Sequence, residues 1–166
     1  MHLPVSQKIR TRSEIPGLVR TLHAEGKTVV FGNGCFDVLH VGHIRFLEGA
    51  RDLADALVVG VNSDGSVRSL KGEGRPLQNE EERTAAVASL RAVDYVVLFD
   101  ERTADSILTE IKPDIHAKGT DYSAETVPER DTVLNFGGRI AIIGDPKNHS
   151  TKALIKSVRS QHGPKH

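Results

Sequence analysis

A doubly wound, Rossmann-like α/β fold, with a parallel sheet of about five strands and helices on both faces, is predicted by three observations. Runs such as Leu57-Val58-Val59-Gly60-Val61 are apolar at nearly every position, as strands covered on both faces require. These runs alternate with segments of helical periodicity. The length, 166 residues, suits one domain that buries a sizeable core without disulfides or metals.

Met1 to Arg12 is polar and aperiodic, and Ser13 reads as the N-cap of a short helix carrying Leu18, Val19 and Leu22 up to Gly26. Residues 1–27 are therefore expected to be an N-terminal extension with a short helix, residues 28–159 the functional domain, and 160–166 a flexible tail. The β-branched run Thr28 to Phe31 predicts the first strand, and Gly32 to Gly42 the loop after it. Ile44, Leu47, Ala50 and Ala54 then place one apolar face on a helix. A helix capped by Asn79 carries Ala85, Ala86, Val87 and Leu90. Tyr95 to Phe99 predicts a third strand, Thr103 to Ile111 a helix stopped by Pro113, Ile115 to Ala117 a fourth strand, and Ile140 to Ile143 a fifth. The last helix is expected to start near Ser150.

Composition narrows the function. Acidic and basic side chains balance to a formal net charge of zero, so nothing global favours nucleic acid or a membrane surface as partner. Any phosphate binding must be local. The only cysteine, Cys35, fits a reducing compartment. No basic leader is present, and no apolar run approaches the roughly 20 residues of a bilayer span. A soluble, cytoplasmic protein is expected.

In a doubly wound sheet the ligand lies past the carboxyl ends of the strands, which directs attention to Gly32-Asn33-Gly34-Cys35-Phe36-Asp37. A dinucleotide fingerprint would need glycine where Asp37 stands, and its carboxylate would repel a pyrophosphate. No GxxxxGK[ST] stretch exists either. The chain instead continues into His40-Val41-Gly42-His43, with a helix beginning at or just after Gly42. The positive end of that helix and its N–H groups make an anion site, Gly42 admits close approach of a phosphate, and two imidazoles three residues apart can donate to phosphate oxygens. The alternative is a structural or metal-binding histidine pair, but no third ligand stands at metal-site spacing, so no metal site built from protein side chains is expected. Two glycines in Lys71-Gly72-Glu73-Gly74-Arg75-Pro76 predict a mobile loop that brings Lys71 and Arg75 onto phosphates, or else a solvated basic loop. Asp37 is expected to orient the glycine loop by accepting N–H bonds. Asn62 and Asp64 either line an acceptor pocket or only form and cap a turn.

The stretch Asn33 to His43 resembles the signature of the HxGH, cytidylyltransferase-like nucleotidyltransferases. Within that superfamily it is most similar to the adenylyltransferase half of bacterial ADP-heptose synthases, which use D-glycero-β-D-manno-heptose 1-phosphate. The likeness continues through Val61 to Asp64, Leu70-Lys71-Gly72, Arg75-Pro76, Val93-Asp94, Lys118 to Tyr122 and Ser150-Thr151, and spans roughly Thr28 to Val158. It implies transfer of AMP from ATP to a sugar 1-phosphate, giving ADP-heptose for envelope polysaccharide and pyrophosphate, with Mg²⁺ on the ATP. The implied catalytic residues are His40, His43 and Lys71. Gly34, Cys35, Phe36, Asp37, Gly42, Lys118, Gly119, Asp121, His149, Ser150 and Thr151 would border the nucleotide. Asn33, Asn62, Asp64, Lys71, Arg75 and Arg83 would border the substrate. Arg83 could equally pair with Glu80 or Glu82, and Ser150 and Thr151 could simply cap their helix. Lys152 stands where relatives carry a third hydroxyl, a departure that an ammonium could offset.

The resemblance also implies a homodimer. Bifunctional relatives add a sugar kinase domain of about 300 residues, so the sugar kinase is expected to be a separate protein. Three alternatives stay open: a cytidylyltransferase using CTP with glycerol 3-phosphate or phosphoethanolamine, a non-catalytic nucleotide-binding domain, and an interaction module. The last leaves the phosphate-suited residues near three strand ends unexplained.

Overall fold

The computed structural model describes residues 2–144 and 150–162. Along the chain the elements are α1 (Val5–Lys8), β1 (Ile9–Arg10), α2 (Ile15–Ala24), β2 (Val29–Gly34), α3 (Val41–Arg51), β3 (Ala56–Asn62), α4 (Asp64–Lys71), α5 (Glu80–Ser89), β4 (Tyr95–Phe99), α6 (Asp105–Ile111), β5 (Ile115–Lys118), α7 (Arg130–Asn135), β6 (Arg139–Ile142) and α8 (Thr151–His162). All strand pairs are parallel, in the order β1-β4-β3-β2-β5-β6. The winding reverses between β2 and β5, and the crevice at their carboxyl ends is where such a sheet takes its ligand.

The continuous apolar strands divide as their pleat requires. Val29 and Phe31 point to one face with Val58, Val97 and Phe99, against Val19 of α2 and Leu108 of α6. Val30, Leu57, Val59 and Val96 point to the other, against Leu47 of α3 and Val87 of α5. Gly60 is needed in β3 because a Cβ there would stand 2.6 Å from Phe31 Cζ.

Several sequence expectations are corrected. The sheet has six strands among the described residues, not about five. The first residues are not an appendage: Ile9 and Arg10 pair with Val96 and Val97 at the sheet edge. Ile15 and Val19 are fully buried, and Arg12 pairs with Glu101 at 3.0 Å and Glu110 at 2.8 Å. Ser13 is not the helix cap, since α2 starts after Glu14 without a side-chain cap. The first strand runs on to Gly34, so the site loop is shorter than its glycines suggest. Ile44 is 37% exposed and Ala54 lies beyond the end of α3, so only Leu47 and Ala50 form that helix's buried face. Helices α4 and α7 were not anticipated, and helix α8 continues through the expected tail as far as His162.

Candidate active site

The loop leaving β2 is strained. Phe36 and Val38 have φ of 49° and 61°, a region costing a non-glycine residue roughly 1–3 kcal/mol and worst for a β-branched one. The buried Asp37 between them holds the shape. Its carboxylate accepts N–H bonds from Leu77 at 2.9 Å and Gln78 at 3.0 Å and from Arg75 Nε at 2.8 Å. Burial alone would raise this carboxyl, but the Leu77 and Gln78 amides and the Arg75 guanidinium outweigh it and hold Asp37 below the usual carboxylate range. Val38 N–H donates to Gln78 Oε1 at 3.0 Å, and Thr151 Oγ1 donates to the Asp37 carbonyl at 2.7 Å. The segment expected to be a mobile loop is therefore fastened at Arg75, and the chain just beyond it at Leu77 and Gln78. Lys71 is not in that loop but is the last residue of α4.

The strained loop delivers His40 as the N-cap of α3. His40 Nδ1 accepts the Gly42 N–H at 3.1 Å, and His43 Nδ1 accepts the His40 N–H at 3.2 Å. The rings stack with centroids 3.8 Å apart. A ring nitrogen that accepts a backbone N–H carries no proton, so each neutral imidazole is the Nε2–H tautomer. The Gly42 N–H at the start of the helix is itself taken by His40. The imidazoles instead relay the positive helix end outward, because a bond accepted at Nδ1 polarises the Nε2–H.

Both histidines line a cavity of about 590 Å³ at the switch point, together with Gly42, Gly119 and Asp121. A second chamber of about 620 Å³ adjoins it, lined by Cys35, Phe36, Asp37 and Asn62 among others. Asn33, Gly34, His43, Lys71, Arg75, Lys118, Tyr122 and Thr151 border both chambers and so mark their junction. Three of those eight are cations, of which Arg75 pairs with Asp37 and Lys118 lies near Glu129, so Lys71 adds the positive charge that makes a local anion site in a chain without net charge. Lys118 Nζ lies 4.8 Å from the Tyr122 ring centroid and 3.7 Å from Glu129 Oε2.

Ser150 and Thr151 also line the first chamber, but their hydroxyls already have local roles. Ser150 Oγ accepts the Ala153 N–H at 3.0 Å, and the Thr151 hydroxyl proton goes to the Asp37 carbonyl, leaving that oxygen only its acceptor capacity toward a ligand. Lys152 lines the same chamber. His149 lies outside the described residues. Cys35 is half-buried and burial pushes its thiol up, which disfavours the reactive thiolate.

Arg83 and Asp64 are not brought to either chamber. Arg83 is fully buried and donates to the carbonyls of Gln78, Cys35 and Asn62 at 3.0, 2.8 and 2.6 Å and to Asp64 Oδ1 at 2.8 Å. It ties α5 to the site loop, β3 and α4, and neither a phosphate contact nor a pairing with Glu80 or Glu82 describes it. Glu80 accepts from the Asp64 N–H, and Glu82 from the Asn79 N–H. Asn62, at the end of β3, donates to Ser66 Oγ at 2.9 Å while lining the second chamber.

Sequence reasoning missed Arg45, Phe46 and Thr120 in the first chamber, Arg102, Thr103 and Glu129 in the second, and Tyr122 at the junction. Arg45 and Phe46 had a usable signal, lying on the first turns of the helix that HxGH opens. Among the described residues no three His, Cys, Asp or Glu side chains form a metal-binding group, and no helix is long and apolar enough to cross a membrane.

The sequence pattern of the cytidylyltransferase-like family matches residues 31–156. The bifunctional protein HldE of Syntrophotalea carbinolica is 45% identical over 160 residues, which are 96% of this chain and 33% of that protein. HldE of Citrifermentans bemidjiense is 47% identical over 155 residues, 93% of this chain and 32% of that protein. The chain thus spans about a third of the length of these curated relatives. A solved structure described as the lipopolysaccharide core biosynthesis protein from Thermoplasma volcanium GSS1 superposes with a TM-score of 0.64 at 31% identity, covering 74% of this chain and all of that one.

Proposed function

The chain belongs to the cytidylyltransferase-like family, and we propose that it transfers AMP from ATP to D-glycero-β-D-manno-heptose 1-phosphate, yielding ADP-heptose and pyrophosphate. One observation carries the reading: the stacked imidazoles of His40 and His43, held as Nε2–H donors, face a cavity whose junction with a second chamber is lined by Lys71, Arg75 and Lys118. Two chambers joined at a cationic waist suit two phosphorylated ligands. The resemblance to HldE proteins supports the sugar phosphate as acceptor.

In this reading an oxygen of the sugar phosphate attacks the α-phosphorus of ATP, the bond from that phosphorus to the β-bridging oxygen breaks, and pyrophosphate leaves. The nucleophile is already ionised near neutral pH, so the side chains need abstract no proton. They position the ligands and stabilise charge. His40 and His43 donate to the α- and β-phosphates, and Lys71, Arg75 and Lys118 gather the acceptor phosphate and the leaving group. Mg²⁺ fits as an ion brought in by ATP, because the chamber supplies donors and cations but no cluster of three protein ligands among the described residues. When bound it neutralises triphosphate charge. The sugar kinase step that supplies the acceptor is assigned outside these residues, and a cytoplasmic homodimer is the working form of the reading.

The test incubates the protein and Mg²⁺ with ATP or CTP and, in turn, heptose 1-phosphate, glycerol 3-phosphate or phosphoethanolamine, and measures pyrophosphate. Release with ATP and heptose 1-phosphate is expected. Release with CTP and either other acceptor, and none with ATP, would replace the reading by a cytidylyltransferase. Nucleotide binding without release from any pair would make the chain a non-catalytic nucleotide-binding domain.

A further inference from the structure

In the sequence His116 is only a residue of a short apolar strand, yet in the structure it is a fully buried polar side chain beside the active crevice. It sits on β5, where His116 is in register with Phe31 of β2, and its Nε2 lies 2.9 Å from Asn33 Oδ1. Its Nδ1 is buried and has no hydrogen-bond partner among the described residues. That asymmetry fixes the tautomer. A buried N–H without an acceptor is costlier than a buried lone pair without a donor, so the proton belongs on Nε2 and is donated to Asn33. Burial also keeps this ring neutral, with its pKa pushed down to about 3 by desolvation and, to a lesser degree, the Lys118 charge.

The consequence falls on Asn33, which borders both chambers at the switch point. With Oδ1 committed to His116, the group left for a ligand is the Nδ2 amide, which has no hydrogen-bond partner among the described residues. We propose that His116 is a positioning residue: by donating to Asn33 Oδ1 it turns the Asn33 amide so that its N–H groups meet a phosphate oxygen at the junction of the chambers. Turned the other way, the same amide would offer a carbonyl oxygen to an anion. The inference rests on the nucleotidyl-transfer reading for its kinetic part only.

The test compares His116→Phe, which keeps the ring volume but removes the donor, with His116→Gln, which keeps an N–H donor. For wild type, long-range ¹H–¹⁵N spectra of the imidazole should show the proton on Nε2, and the Asn33 side-chain amide signal should move when ATP is added. That movement should be lost in His116→Phe and kept in His116→Gln, with both variants folded by circular dichroism. In pyrophosphate release, kcat should fall at least tenfold in His116→Phe and recover in His116→Gln. In an Asn33→Ala background, His116→Phe should then cost nothing more. A proton on Nδ1, or an unchanged Asn33 response and kcat in a folded His116→Phe protein, would overturn the proposal. If wild type releases no pyrophosphate from any substrate pair, the nucleotidyl-transfer reading fails while the two NMR readouts still decide the role of His116.

Discussion

Helix α3 opens on His40 and His43 and helix α5 on Asn79 and Glu82, and in both a cap side chain accepts a backbone N–H while the residue three positions on reaches back. The bonds are alike, 3.1 and 3.2 Å in α3 against 2.9 and 3.2 Å in α5. The difference lies in what remains beyond the capping atom. Asn79 and Glu82 are exposed and complete their task at the helix end. An imidazole that caps through Nδ1 still owns Nε2–H, so the cap of α3 is also a pair of donors facing the cavity. One local motif yields a scaffold at one helix and a chemical group at the other, and the surroundings decide which.

Four measurements bear on that contrast. The largest effect concerns the first turns of α5, whose Arg83 braces the site loop from behind without lining either chamber. Arg83→Leu strands three carbonyls and Asp64, and should cost about 3–5 kcal/mol of stability in urea unfolding; a protein that stays folded but loses only ATP binding would make α5 part of the site. Next comes giving α3 the cap of α5. His40→Asn should leave thermal stability nearly unchanged, since asparagine is a strong N-cap, while pyrophosphate release falls by about 10²–10³. Retained turnover would reduce His40 to a cap.

The third histidine separates cap from core. His116 is held neutral to about pH 3, so below the unfolded value near 6.5 the unfolded chain takes up a proton that the native state refuses. Stability therefore falls with falling pH through that window by up to about 1.4 kcal/mol per pH unit. His116→Gln should flatten that part of the acid unfolding curve, and an unchanged slope would contradict it. The smallest effect is expected at the ordinary cap. Asn79→Ala should cost about 1 kcal/mol and leave kcat/KM as it was; a tenfold kinetic loss would erase the contrast between the two helices.

How much could be read in advance depends on how each residue advertises itself. Strands β3 and β4 were legible as continuous apolar runs because β3 is buried along its whole length and β4 along most of it. Helices α4 and α7 were not: Asp64 to Lys71 offers only Val67 and Leu70, and Arg130 to Asn135 only Val133 and Leu134. Strand β1 is two residues long and carries no period at all. At the site, His40, His43 and Lys71 announced themselves by residue type and by lying near glycines. Arg83 misled because a charged residue on a helix reads as surface, whereas three of its four acceptors come from segments distant in the chain. Glu129 and His116 were missed for the same reason, since what makes them notable is burial beside the crevice.

Strand β1 also bears on how the molecule behaves in a crowded solution. A sheet edge is a row of backbone donors and acceptors that can recruit a strand from another chain. Ile9 and Arg10 occupy that row along Val96 and Val97, and they present an outer margin too short to template a further strand. Removing residues 2–11 would leave the chambers standing but bare an apolar β4, turning a covered margin into a seed for concentration-dependent self-association.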